Sequence, residues 1–205
     1  MKLPNTEHTS RPWRIHEVAP DFHVEDVWAL PTPGAAEDFP KLVRRFAGGD
    51  TANNPSRLAR LLFTIRWRLG ARLGWDDPAS GVGTRVPTLR DRLPADLRDA
   101  PAGPAFDTLP FRSVYLTDNE WAAEMANRTV HTVMHISWVP NDPADRQPGG
   151  YRGQMTVLVK PNGLFGRVYM AAIAPFRLLI VYPPLLRGIG KSWRESTSRT
   201  PPVDA

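Results

Sequence analysis

The chain contains no cysteine. Disulfides, thiolate metal sites and a cysteine nucleophile are therefore excluded together. The start, MKLPNTEHTSRPWRIHE, has no apolar stretch of the kind a secretory leader carries, so a cytoplasmic protein is expected. Lysine is scarce: Lys2, Lys41, Lys160 and Lys191 are set against 22 Arg among the 26 basic residues. The net charge is +5, but the basic residues are dispersed and not interleaved with aromatics, so nucleic acid is not an expected partner. Sequence signatures of common chemistries are also missing. There is no GxSxG, no HExxH and no GxGxxG, and the glycines of SGVGT (80–84) are not followed by GK[ST]. No cofactor and no metal is expected, and the chain points to a fold and a kind of partner more than to a reaction.

What is present is a chain of 205 residues, 41 % apolar and 23 % charged, enough for one domain with a real core. Its 22 prolines predict many turns and interrupted helices. Residues 1–12 read as a loose arm, 13–193 as a single domain and 194–205 as a polar, disordered tail. WRIHEV (13–18) alternates like a strand, and Val24, Val27 and Trp28 sit at helical spacing. Phe39, Leu42, Val43 and Phe46 predict an amphipathic helix that ends at Gly48-Gly49.

Residues 57–73 predict the strongest helix, with Leu58, Leu61, Leu62, Ile65, Leu69 and Leu73 in one stripe. Arginines flank that stripe with no acid among them. The helix therefore packs on a sheet or, as the lesser alternative, docks on an anionic membrane surface or a partner protein. A turn-rich connector follows, with one strand expected at 85–89. FRSVYLT (111–117) predicts a strand and TDNEWAAEMAN a short helix or the start of the next strand. RTVHTVMHISWV and YRGQMTVLVK predict strands, joined through PNDPADRQPGG. The apolar stretch from Leu164 onward predicts a long C-terminal helix broken by Pro175 and Pro183-Pro184. Arg167 and Arg177 within it argue against a membrane span.

His131 and His135 raise the question of a metal. On a helix, residues four apart lie ~6 Å from one another. On a strand they lie ~13 Å apart at ~3.3 Å per residue, too far for two bonds of ~2 Å to one ion. The β-branched run Thr129, Val130, Thr132, Val133, Ile136 and Val139 predicts a strand, so no shared metal is expected. One face then carries His131, Val133, His135 and Ser137. The other is the more apolar, with Val130, Thr132, Met134, Ile136 and Trp138, and is the safer choice for the interior. Asp118, Glu120 and Glu124 form an acidic cluster that either serves acid–base work or only favours a helix start.

The stretches HEVAPDFHVEDVWALPTP, LPADLRDA, NRTVHTVMHISWV, GYRGQMTVLVKPNG and YMAAIAPFRLLIVYP cover nearly all of 13–193. They resemble a bacterial domain-of-unknown-function family, number 2867, associated with the helix-grip superfamily of START, Bet v 1-like and polyketide cyclase-like proteins. The resemblance implies an α+β fold in which a curved antiparallel β-sheet wraps a long C-terminal helix, with extra amphipathic helices and a cavity between sheet and helix. Some relatives carry a nucleotide-binding domain; no GxGxxG occurs in these 205 residues, so NAD binding is not expected. The expected function is binding of a small hydrophobic or amphipathic molecule, with Tyr115, Trp121, His131, His135, Tyr169 and Arg177 as candidate ligand-binding residues. The alternative is a cyclase- or isomerase-like enzyme using His131 or His135 with an acid such as Glu124. The oligomeric state is open.

Overall fold

The computed structural model describes residues 1–48, 81–107, 109–141 and 150–197. The amphipathic helix expected at 57–73 and the end of the tail from 198 lie outside the described residues. Strands β1 (Lys2–Leu3), β2 (His23–Gly34), β3 (Arg112–Leu116), β4 (Glu120–Ala126), β5 (Val130–Pro140) and β6 (Tyr151–Pro161) form one antiparallel sheet in the order β1-β2-β6-β5-β4-β3. The two central strands, β5 and β6, pair without a break from Val130↔Pro161 to Pro140↔Tyr151. β2 slips register between Val24 and Asp26 and again between Ala29 and Pro33. Pro31 and Pro33 fall in the second slip, where a strand that lacks two N–H donors cannot keep its ladder and bends.

Helices α1 (Thr6–Thr9), α2 (Ile15–Val18), α3 (Phe39–Ala47) and α4 (Ala95–Arg98) are short. The long C-terminal helix runs as α5 (Gly163–Phe176), a π-turn (Arg177–Val181) and α6 (Tyr182–Thr197). Met170–Leu179 and Tyr182–Ser196 are bent by 45°. The bend follows Pro175, whose ring displaces the carbonyl four residues back, and the π-turn absorbs the mismatch. This is the α+β, helix-grip-like arrangement: an antiparallel sheet packed on a long C-terminal helix.

Both faces of the sheet are covered. On the helix side, Trp28, Trp121, Ile136, Trp138 and Met155 meet Tyr182, Leu186, Ile189 and Trp193 of α6 and Phe39, Leu42 and Phe46 of α3. Each such side chain, fully buried, stabilises by ~1.5–3 kcal/mol before the entropy of ordering it. On the far side, Trp13, Ile15, Val18 and Phe22 of the N-terminal segment, with Leu89, Leu93 and Leu97, cover Val114, Ala122, Val133 and Leu158.

Several local expectations are corrected. Residues 1–12 are not a loose arm: β1 pairs with β2, and His8 of α1 is fully buried. WRIHEV is a helical turn, because Ile15 and Val18, three apart, both face the sheet. Residues 24–28 belong to β2; with both faces covered, Val27 and Trp28 are buried at consecutive positions and the helical spacing is accidental. EWAAEMA is a strand despite its Ala and Glu, since it lies between β3 and β5, where tertiary pairing overrides helix propensity. The strand expected at 85–89 reduces to a single bridge, Val82↔Val86, before a 3-10 turn at Leu89–Arg92. The helix continues through 194–197, the first part of the expected tail.

Gly166 sets how α5 meets the sheet. A Cβ there would collide with the carbonyl oxygen of Thr129 in the β4–β5 turn and lie 3.3 Å from Pro161 Cβ. Gly→Ala inside a helix ordinarily gains ~1 kcal/mol. Here Gly166→Ala is expected to lose ~1–3 kcal/mol by overpacking, read from the denaturant midpoint. A gain in stability would show that α5 does not rest on that turn.

Candidate functional site

The helix-facing side of the sheet is fully buried at one end and partly half-buried at the other. The row Trp121, Ile136, Met155 and Trp28 lies under α6 and is buried, with Trp121 and Ile136 at 0 % exposure. Two rows along, toward α5, Met125 and Thr132 are register partners and both are half-buried. Between them Met134 pairs with Val157; Met134 is 8 % exposed and Val157 half-buried. The floor is apolar throughout, with the Thr132 hydroxyl as its polar point. Met170 of α5 packs on Val130 and Val159, and Leu178 of the π-turn packs against the main core.

Arg177 stands at the side of this floor. Its Nε donates to Asp26 Oδ2 at 2.8 Å and its Nη2 to Glu25 Oε1 at 2.7 Å. Asp26 is the register partner of Val157, and its Oδ1 also meets Lys2 Nζ at 3.2 Å. Tyr182 lies beside this cluster, and burial together with the Asp26 charge pushes its hydroxyl up from the usual tyrosine range.

The far face holds a buried polar cluster. β4 contributes Glu120 and Glu124, four apart on one face, and β5 contributes His131 and His135 with the same spacing. The hairpin register sets Ala122 opposite His135 and Ala126 opposite His131, so each histidine reaches diagonally to one acid. His135 Nε2 lies 2.9 Å from Glu120 Oε2, and His131 Nε2 lies 2.8 Å from Glu124 Oε2. Glu120 also accepts from the Tyr115 hydroxyl at 2.9 Å and, through Oε1, from the Arg14 backbone N–H at 3.0 Å. Glu124 accepts from the Leu89 N–H at 3.1 Å and from the Thr88 hydroxyl, and so holds the start of the 3-10 turn.

Burial pushes the Glu120 carboxyl up, but the hydrogen bond and charge of His135, with the Arg14 and Tyr115 donors, outweigh it and hold the group below the usual carboxylate range. A carboxylate at Glu120 fixes the tautomers along the chain. His135 donates from Nε2, its Nδ1 accepts, and His8 Nε2 donates to it at 3.2 Å. His8 Nδ1 is then a lone pair with no hydrogen-bond partner. The His8 ring stacks on His16 at 5.0 Å. Burial first, then the charges of His135 and His16, press the His8 pKa down to about 2. Burial and the Glu120 charge push the Tyr115 hydroxyl well above its ordinary value.

The six sequence-derived candidates thus occupy different places. Tyr115, His131 and His135 sit on the far face, buried and hydrogen-bonded to glutamates. Trp121 is on the helix face, with its Nε1 donating to Ser113 Oγ at 3.1 Å and its ring stacked on Phe106. Tyr169 lies in α5, and Arg177 opens the π-turn, paired with Asp26 and Glu25. His131 and His135 share no ion; each has its own carboxylate. Among the described residues no group of three His, Asp or Glu is placed to hold a metal. Residues not singled out from the sequence are Glu120 as the partner of His135, and His8, which lay in the segment read as an arm. The legible signal was the matching spacing of four, Glu120/Glu124 against His131/His135, across the turn at 127–129.

An open cleft of about 680 Å³ crosses the end of the sheet, lined by Trp13, Arg14, Asn119, Glu120, Trp138 and Tyr151. A second, of about 520 Å³, is lined by His16, Phe22, Val24 and Leu158 among others. Neither lies between the sheet and the C-terminal helix.

No curated protein and no solved structure matches the chain. The family model described as "Protein of unknown function (DUF2867)" matches residues 18–184, from the end of α2 into α6. The chain belongs to that family.

Proposed function

We propose that the protein binds an apolar or amphipathic small molecule between the sheet and the C-terminal helix. The site is the half-buried end of the helix-facing side, over Met125, Thr132, Met134 and Val157. The carrying observation is the gradient of burial along that face. The same sheet surface is closed under α6 and α3 but half-exposed beside α5, and what it exposes there is apolar. A ligand's carbon skeleton would gain ~25 cal/mol for each Å² removed from water. Trp121 closes the inner end of this floor, and Arg177 borders it. Glu25, the outer partner of Arg177, is partly exposed, so the anionic end of an amphipathic ligand can take its place on the guanidinium.

The far-face histidine–glutamate pairs favour the acid–base alternative less, because their rings are buried. His135 is 0 % exposed and His131 4 %, and both ring pairs are closed by hydrogen bonds from within the fold.

The test is native mass spectrometry of the purified protein, joined to thermal melts across a panel of fatty acids and other hydrophobic ligands. The expected result is a bound small molecule, or a rise in melting temperature, that Val157→Trp removes by filling the groove. A clean apo mass with no thermal response, or a ligand that Val157→Trp leaves unaffected, would refute the site.

A further inference from the structure

The outer side of α5 and the π-turn after it carries an apolar stripe that packs on nothing described. Val168, Ala171, Ala172, Pro175 and Leu179 are all exposed, Val168 at 60 % and Leu179 at 75 %. Their spacing of i, i+3, i+4, i+7 and i+11 gathers them within about 100° of arc. The opposite side of α5 is spent on the fold, with Gly166 and Met170 buried, and at the stripe's edge Leu178 of the π-turn packs on the core. Large apolar side chains at such exposure, aligned along one helix, mark a contact surface.

The charge around the stripe selects the partner. From Arg146 to Arg194 the chain has eight basic residues and no Asp or Glu. Arg177 and Lys160 are matched by acids from β2 and the preceding turn. Arg128, in the turn that supports the start of α5, is exposed, as are Arg187 and Lys191 beyond the bend. Lys191 has Glu195 one turn on, which leaves Arg128 and Arg187, of these three, without an acid partner among the described residues; a second copy docking through the same stripe would set these like charges against each other. A surface that is apolar inside and anionic outside suits both features.

We propose that α5 is a membrane-surface contact: its stripe enters the headgroup region of an anionic bilayer while the basic residues near its ends meet lipid phosphates. The helix lies on the bilayer. Among the described residues no single helix is long and apolar enough to cross a membrane, and α6 beyond the bend commits Tyr182, Leu186, Ile189 and Trp193 to the core. The surface is defined by exposure and charge alone and would hold if the groove bound nothing.

Co-sedimentation of the full chain with vesicles tests it. One set is phosphatidylcholine alone and the other is equal parts phosphatidylcholine and phosphatidylglycerol. The protein is expected to pellet with the anionic set, to stay in the supernatant with the neutral set, and to be released as salt shortens the Debye length. The double variant Val168→Glu/Leu179→Glu should weaken partitioning at least ~tenfold, since two charges enter where apolar area was buried. Both positions are exposed, so its melting temperature should match wild type; Arg128→Glu, which leaves the stripe intact, should weaken anionic binding more mildly. Three outcomes would overturn the proposal: no pelleting with anionic vesicles, equal pelleting of the double variant, or a wild-type dimer that the double variant converts to monomer without any vesicle binding.

Discussion

Glu120→Ala is expected to destabilise the protein by ~3–5 kcal/mol at neutral pH, since it removes the shared acceptor of three donors at ~1–3 kcal/mol for each one left unpaired in the interior. Three donors converge on this carboxylate from three parts of the chain: the Arg14 N–H from the N-terminal segment, the Tyr115 hydroxyl from β3 and the His135 ring from β5. Each would be left buried without an acceptor, since Tyr115 and His135 are both 0 % exposed. Glu120→Gln keeps one carbonyl oxygen and the side-chain shape, so it should cost less than the alanine change. Guanidinium unfolding of the three proteins checks the order. The pair is not a structural anchor if Glu120→Ala costs under ~1 kcal/mol.

This anchor shows where sequence reasoning stopped. β5 and β6 were legible because β-branched residues dominate and their alternation is long. α3 was legible from its apolar spacing, and the C-terminal helix from a long apolar stretch punctuated by prolines. EWAAEMA was ambiguous, since its composition favours a helix and only its place between β3 and β5 makes it a strand. Read as a helix it separates Glu120 from His135, and the diagonal pairing is invisible. Read as a strand, the shared spacing of four aligns both acids with both histidines.

The choice of interior face was right but incomplete for a related reason. The more apolar face of β5 is indeed interior, but so is the mixed face, which the N-terminal segment covers. A short arm of mixed composition carries no periodic signal that it will cover a sheet. Its buried residues, His8, Trp13, Ile15 and Val18, make sense only against the sheet they meet. The half-buried stretch at Met125, Thr132 and Val157 lay beyond reach for the same reason, because it depends on how the C-terminal helix lies on the sheet and not on any motif.

Acid is expected to destabilise the protein from about pH 6.5 downward, well above the range in which carboxylates titrate. His8 has a pKa near 6.5 when unfolded and about 2 when folded. Above 6.5 both states leave it neutral and it adds no slope. As pH falls below 6.5 the unfolded chain takes a proton that the folded chain refuses. Stability then declines by ~1.4 kcal/mol per pH unit from this group, or ~3 kcal/mol by pH 4.5. The geometry gives the reason: a second proton would sit on Nδ1, which has no acceptor, between the His135 and His16 rings. His16, lowered by burial, acts in the same direction. Glu120 does too: its folded value is depressed, so its contribution is present above the unfolded carboxylate pKa and is lost as pH falls through the folded one. The other charges of the covering segment, Glu7 of α1 with Arg11 after it and Arg14 before α2 with Glu17 within it, are paired among themselves or with Asp96. The comparison that isolates His8 is His8→Phe, which keeps an aromatic ring on His16 and removes the titrating nitrogen. It loses one hydrogen bond to His135 at every pH, so its stability should start lower and then stay flatter from pH 7 to 5 than that of wild type. Parallel curves for the two proteins over that interval would show that the slope arises elsewhere.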